Sequence, residues 1–96
     1  MIFLAGRNRT SVATCIKVAL MRRGNANYNM VLAKLRSQDH DIKDSINNLE
    51  HLKTVLKQVY KQDYHSVLED ITWELEILDI PEINDFKTEF CKIMAS

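Results

Sequence analysis

Histidine, cysteine and acidic side chains are the groups that could bind a metal or catalyse a reaction in this chain of 96 residues. Zinc needs four ligands in a tetrahedron, and closely spaced pairs such as C-x-x-C or H-x-x-x-H often supply them. The candidate ligands are Cys15, His40, His51, His65 and Cys91. None of them lies within four residues of another, so the sequence predicts no metal site and no cofactor.

Nucleophilic catalysis would need a serine or cysteine together with a histidine and an orienting acid. Ser66 follows His65, but adjacent residues on a helix point in different directions, so this pair does not indicate a triad. The chain has no G-x-S-x-G motif, and two glycines are too few for a phosphate-binding or dinucleotide-binding loop. We therefore expect a protein that is not an enzyme.

The cysteines and the N-terminal segment indicate the cellular compartment. Cys15 and Cys91 fall within helical apolar patterns and far from each other, which is typical of two small buried side chains in a reducing environment. The opening "MIFLAG" is apolar over only about five residues, which is too short for a signal sequence or a membrane span. We expect a cytoplasmic protein without a membrane partner.

The charges are segregated along the chain although the formal net charge is zero. Residues 1–36 contain seven basic residues and no acid, whereas residues 37–96 contain six lysines and all thirteen acids. Such asymmetry can mark a segment that faces nucleic acid or a membrane, or it can let two parts of one domain attract each other. In a small domain opposite charges partly cancel each other's field, which favours the second interpretation.

The nucleic-acid interpretation makes the second predicted helix a recognition helix, with arginines before it for phosphates. Asparagine can bind adenine, but asparagines next to a glycine are more often caps and turn formers. This interpretation is therefore the alternative. Its candidate contacts are Arg22, Arg23, Asn27, Asn29, Lys34 and Arg36.

Trp73 lies away from the main apolar face of its predicted helix, about 200° around the axis from Ile71. Ile77 follows one turn later, so the helix has a second apolar patch. The C-terminal helix or the N-terminal tail could cover this patch, as for any central helix of a bundle. The other interpretation is an exposed surface for a protein partner or a homodimer, because tryptophan is enriched at interfaces. Trp73 and Ile77 are then the candidate partner interface.

Helical spacing of apolar residues predicts the elements that position these groups. Thr10 or Ser11 should cap the first helix, and Gly24 should end it. Asn25 or Asn27 should then cap the second helix. A polar connection with one helical turn should follow, over residues 37–48.

Asn47 or Asn48 should cap a third helix, and Asp63 should cap the longest helix, which runs from Tyr64 to about Leu78. Pro81 should separate that helix from the last one. No stretch alternates with the period of a strand. The sequence therefore predicts an all-α fold, a compact bundle of about five short helices, with a tail over residues 1–9 and one domain over residues 10–96. The predicted core includes Val55, Leu56, Val67, Ile71 and Phe90.

The order of apolar residues over about residues 15–78 resembles a family of small archaeal signalling domains, the Nitrosopumilus output domain family. The resemblance is carried by "NNLEHLKTVLKQVYKQDYHSVLEDITWEL" and, before it, by Ile16, Leu20, Gly24, Tyr28, Val31 and Leu35. The segment after Val59 and Tyr60 is similar to the family's aromatic, turn and helix segment. The chain departs from the family in lacking a proline near Asn48 and a glycine near Lys61. The resemblance implies a signalling or regulatory interaction module and supplies no catalytic residues.

Together these observations predict a small non-enzymatic helical module that acts by protein–protein contact in signal transduction or regulation. A nucleic-acid-binding regulator that uses the basic N-terminal third is the alternative.

Overall fold

The structure, a computed structural model, describes residues 6–95. Within this range every regular element is helical, and 3-10 turns at Lys61–Asp63 and Pro81–Ile83 precede the last two helices. The prediction of an all-α bundle is confirmed, with five helices of twelve or more residues and one short turn of helix. The helices are α1 (Gly6–Arg22), α2 (Asn25–Arg36), α3 (Ile42–Ser45), α4 (Leu49–Tyr60), α5 (Tyr64–Leu78) and α6 (Asn84–Ala95).

Helix α1 begins earlier than the sequence predicted. Thr10 and Ser11 were expected to cap it, but both lie inside the helix, where their hydroxyls donate to the carbonyls of Gly6 and Arg7. A hydroxyl can cap a helix or bond to the carbonyl four residues back, and sequence alone does not separate these roles. Residues 6–9 therefore belong to α1 and not to a tail, while residues 1–5 of the predicted tail lie outside the described residues.

Gly24 makes the joint between α1 and α2. Its φ of 123° lies in a region that side chains with a Cβ rarely adopt, and its amide donates to the carbonyl of Met21. Gly24 itself occupies the cap position of α2, which has no side-chain cap. The prediction that Asn25 or Asn27 caps α2 is wrong, because the tight glycine turn starts the helix before either amide can take that position.

The polar connection contains the single helical turn that was predicted. Asp41 and Asp44 form a capping box: Asp41 accepts from the amide of Asp44 at 2.9 Å, and Asp44 accepts from the amide of Asp41 at 3.1 Å. The Asp44 amide hydrogen bond holds the pKa of Asp41 below its usual range. Asn48 then caps α4 by accepting from the amide of His51, as predicted.

Helix α5 runs from Tyr64 to Leu78, as predicted, with Asp63 at its cap position. The Asp63 side chain makes no capping hydrogen bond, because the 3-10 turn already continues into the helix. The hydroxyl of Tyr64 donates to the carbonyl of Met94 at 2.8 Å and so ties the start of α5 to the end of α6. Pro81 opens the second 3-10 turn and separates α5 from α6, as predicted.

All five predicted core residues are buried in one cluster to which every helix contributes. Helix α1 packs along α5, and the two run antiparallel, since Cys15 contacts Glu74 while Arg23 contacts Asp70. Helix α6 packs more closely on α4 than on α5. This difference leaves the seam between α5 and α6 less completely filled.

The two cysteines differ, although both were expected to be buried. Cys15 is buried between α1 and α5, and its thiol donates to the carbonyl of Glu74 at 3.6 Å. Burial, with a smaller effect from the charge of Glu74, raises the pKa of this thiol. Cys91 is exposed, because it lies one residue around α6 from Phe90, which takes the core position.

Candidate protein-interaction surface

Helix α5 has one buried face and one exposed apolar patch. Ile71 and Leu75 are buried in the core, whereas Trp73 is 59% exposed and Ile77 is 56% exposed. Residues four apart on a helix are neighbours, so Trp73 and Ile77 form one surface, which we call the α5 patch. Helix α6 does not cover the α5 patch, which rules out one of the two coverings that the sequence left open. Residues 1–5 of the N-terminal tail, the other possible covering, lie outside the described residues.

A polar recess of about 520 Å³ lies on one side of Trp73, at the seam between α1 and α5. Two ion pairs close this seam. Arg22 donates to the carboxylate of Glu74, and Nη1 of Arg23 lies 2.6 Å from Oδ2 of Asp70. The basic end of α1 is therefore bound to the acidic side of α5, and this arrangement supports the interpretation that the segregated charges attract each other within the domain.

A groove of about 440 Å³ lies on the other side of Trp73, between α5 and α6, and we call it the α5–α6 groove. Its walls are largely apolar, and Trp73 stands at the boundary between the groove and the polar recess. A salt bridge of 3.6 Å between Lys87 and Glu76 also connects the two helices. The residues that line the groove include Leu68, Glu69, Trp73, Phe90, Cys91 and Met94.

The residues predicted for nucleic-acid contact do not share one environment. Arg22 and Arg23 form salt bridges with carboxylates of α5, although the Arg22 side chain is 63% exposed. Asn27 and Lys34 are half-buried, whereas Asn29 and Arg36 are exposed. A recognition surface built on α2 would therefore rely on few freely exposed side chains, and its phosphate contacts would compete with ion pairs inside the domain.

The histidines and cysteines do not gather at one place, although His65 and Cys91 both line the α5–α6 groove. The rings of His40 and His51 have centroids 5.5 Å apart, a contact that their spacing of eleven residues gave no reason to expect. Across residues 6–95, no three histidine, cysteine or acidic side chains lie close enough together to hold a metal ion.

Sequence reasoning identified the α5 patch but missed the α5–α6 groove. Phe90 was predicted to belong to the core, and Phe90 and Met94 are both buried, yet both also line the groove. Helical periodicity shows which side a residue lies on but not how far apart two helices stand. The sequence contained no signal for the groove, since it also predicted that Cys91 is buried.

Comparison of the chain with protein-family models, with curated proteins and with solved structures finds no match. The resemblance to the archaeal output domain family therefore rests on the spacing of apolar residues alone and stays a prediction. Between residues 6 and 95 there is no helix with both the length and the apolar character needed to cross a membrane.

Proposed function

We propose that this protein is a small non-enzymatic module that acts by protein–protein contact through the α5 patch. The observation that carries the proposal is the exposure of Trp73, at 59%, beside an equally exposed Ile77. A large aromatic side chain that stays in water on a folded domain is typical of a binding surface, and tryptophan is the residue type most often found as an interface anchor. A role in signal transduction or regulation is the expectation that the family resemblance adds.

The surroundings of Trp73 support this proposal. The polar recess and the α5–α6 groove flank the tryptophan, so a partner can surround the ring on both sides as well as cover it. Energetically important residues of interfaces usually lie near the centre of the contact, where neighbouring residues exclude water. The indole at the boundary of two concave surfaces meets that requirement. The partner is another protein or, in a homodimer, a second copy of this chain.

The test is the capture of a partner by the immobilised full chain from an extract of the cells that produce it. We expect Trp73→Ala and Ile77→Ala to lose a partner that the unchanged protein retains. Met21→Ala and Met30→Ala are the matched controls, because these side chains are exposed to a similar degree, 49% and 48%, but lie on α1 and α2. Equal capture by all four variants would refute the proposal.

Nucleic-acid binding is the second candidate function. It is favoured by α1, α2 and the joint between them, because residues 6–36 contain seven basic residues and no acid. The ion pairs of Arg22 and Arg23 with α5 reduce the charge that this surface offers to phosphates. We therefore place it after protein–protein contact.

A further inference from the structure

The α5–α6 groove combines apolar walls with acidic surroundings. Leu68, Phe90 and Met94 contribute apolar atoms, whereas Glu69 and Glu76 are the acids that line it. The acidic character comes from α5, which has four acids and no lysine or arginine, whereas α6 has two acids and two lysines. A partner that fills this groove must therefore present apolar side chains within an acidic field.

The acids around the groove are neutralised to different degrees. Asp70 and Glu74 are paired with Arg23 and Arg22, and Nζ of Lys87 lies 3.6 Å from Oε1 of Glu76. Glu69 lines the groove and has no salt bridge within residues 6–95. Its carboxylate is thus available to a cation brought by a partner.

This charge distribution argues against a second copy as the occupant. A symmetric dimer uses the same surface on both subunits, so a dimer through the groove would bring two acidic regions together. Like charges opposed across an interface are unfavourable, and at physiological salt charges within about 8 Å of each other are not fully screened. A partner with basic residues has the complementary charge.

The shape indicates the backbone form of the partner. The groove is a trough between two helices, and α6 leaves it open by packing on α4. Troughs of this kind accept an amphipathic helix, which inserts apolar residues spaced three and four apart. We propose that the α5–α6 groove binds a helix of a partner protein whose apolar stripe is flanked by lysine or arginine. This inference rests on the proposed function and names the chemistry of the partner.

Cys91 provides a direct test because it lines the groove and is exposed. Cys15, the only other cysteine, is buried, and its raised thiol pKa lowers the fraction of reactive thiolate. The rate at which a thiol reagent modifies the folded full chain therefore reports on the groove.

The probes are two synthetic peptides of about five helical turns with the same leucine stripe, one with lysine and one with glutamate on the polar face. We expect the lysine peptide to bind, with an affinity that falls as salt rises, and to slow the modification of Cys91. The glutamate peptide should do neither. Trp73→Ala should weaken binding of the lysine peptide by about thirtyfold or more, as truncation of an interface anchor does.

Glu69→Gln tests the charge of the groove against a matched control. It should weaken binding of the lysine peptide more than Glu82→Gln does, because Glu82 lies by Arg7 and Ile80 and outside the groove. Both variants change the net charge equally, so a difference between them reports on position.

Three results would overturn the inference: equal effects of the two glutamine variants, binding of both peptides with similar affinity, or binding that leaves Cys91 unprotected. Protection of Cys91 that grows with the concentration of the protein alone would identify a second copy as the occupant and would also overturn it. If the lysine peptide does not bind but Trp73→Ala loses the cellular partner, only this inference is overturned. Retention of the cellular partner by both α5 patch variants overturns the proposed function.

Discussion

Tyr60 and Tyr64 are both buried, but their hydroxyls differ in hydrogen bonding. Tyr60 is 5% exposed, and its hydroxyl has no hydrogen-bond partner among the described residues, while burial raises the pKa of the phenol. Tyr64 is 4% exposed and donates to the carbonyl of Met94. That carbonyl belongs to the last turn of α6, where backbone acceptors lack partners within the helix.

Phenylalanine substitutions should separate the two tyrosines. Tyr64→Phe should lower the free energy of unfolding by about 0.5–1.5 kcal/mol, because it removes a hydrogen bond and leaves a buried acceptor unpaired. Tyr60→Phe should be neutral or slightly stabilising, because it removes a hydroxyl that is buried without a partner. Urea unfolding curves with a common slope provide the comparison. A loss in Tyr60→Phe as large as that in Tyr64→Phe would contradict the assigned hydrogen bonds.

At the scale of single elements, α5 is a helix with two different apolar faces. Ile71→Ala should lower the free energy of unfolding by about 2–5 kcal/mol, because Ile71 is fully buried in the core. Trp73→Ala should change it by less than about 1 kcal/mol, because the side chain is largely in water. Thermal melts that are monitored by the helical circular dichroism signal measure the change in stability of each variant. Similar losses from the two substitutions would mean that Trp73 is part of the core.

The capping box of α3 makes a separate prediction. Asp41→Ala should lower the free energy of unfolding by about 0.5–2 kcal/mol, because it removes the acceptor for the Asp44 amide. Asp41→Asn keeps an acceptor and should lose less. Thermal melts at neutral pH compare the two variants, and a loss in Asp41→Asn as large as that in Asp41→Ala would contradict the role of the cap.

The lowered pKa of Asp41 gives this cap a pH dependence. The folded pKa is below the unfolded value of about 3.9, so the contribution of the charged cap is present above that pH and is lost as the pH falls through the folded pKa. Melts of the unchanged protein and Asp41→Asn on either side of this range test the sign. The difference in stability between the two proteins should shrink as the pH falls. A difference that grows would contradict the lowered pKa of Asp41.

The helices and the surface of the bundle were not equally predictable from the sequence. Periodicity, Asn48 and Pro81 placed α4, α5 and α6, because apolar spacing and capping are local properties. The start of α1 was missed, because Thr10 and Ser11 can either cap a helix or bond to its carbonyls. The exposure of Trp73 could not be decided, because it depends on where α6 packs. That position is a property of the tertiary structure and not of the local sequence.

At the scale of the whole molecule, the basic and acidic parts of the chain bind each other at the seam of α1 and α5. We therefore expect binding to duplex DNA at low salt only. Fluorescence anisotropy of labelled DNA against salt concentration measures this, and each phosphate contact should add about 0.9 to the logarithmic slope. Micromolar binding at physiological salt that disappears in an Arg22→Ala and Arg23→Ala double variant would instead favour nucleic-acid binding as the function.

The central claim is that the α5 patch is a contact surface, and the fluorescence of the chain's only tryptophan tests it without a substitution. Trp73 is exposed in the free protein, so its emission should be that of an indole in water and should be strongly quenched by acrylamide. In complex with the partner that the full chain captures, the emission should shift to shorter wavelength and the quenching should fall, because the ring leaves water. Emission and quenching that remain the same in the free protein and in the complex would contradict the claim.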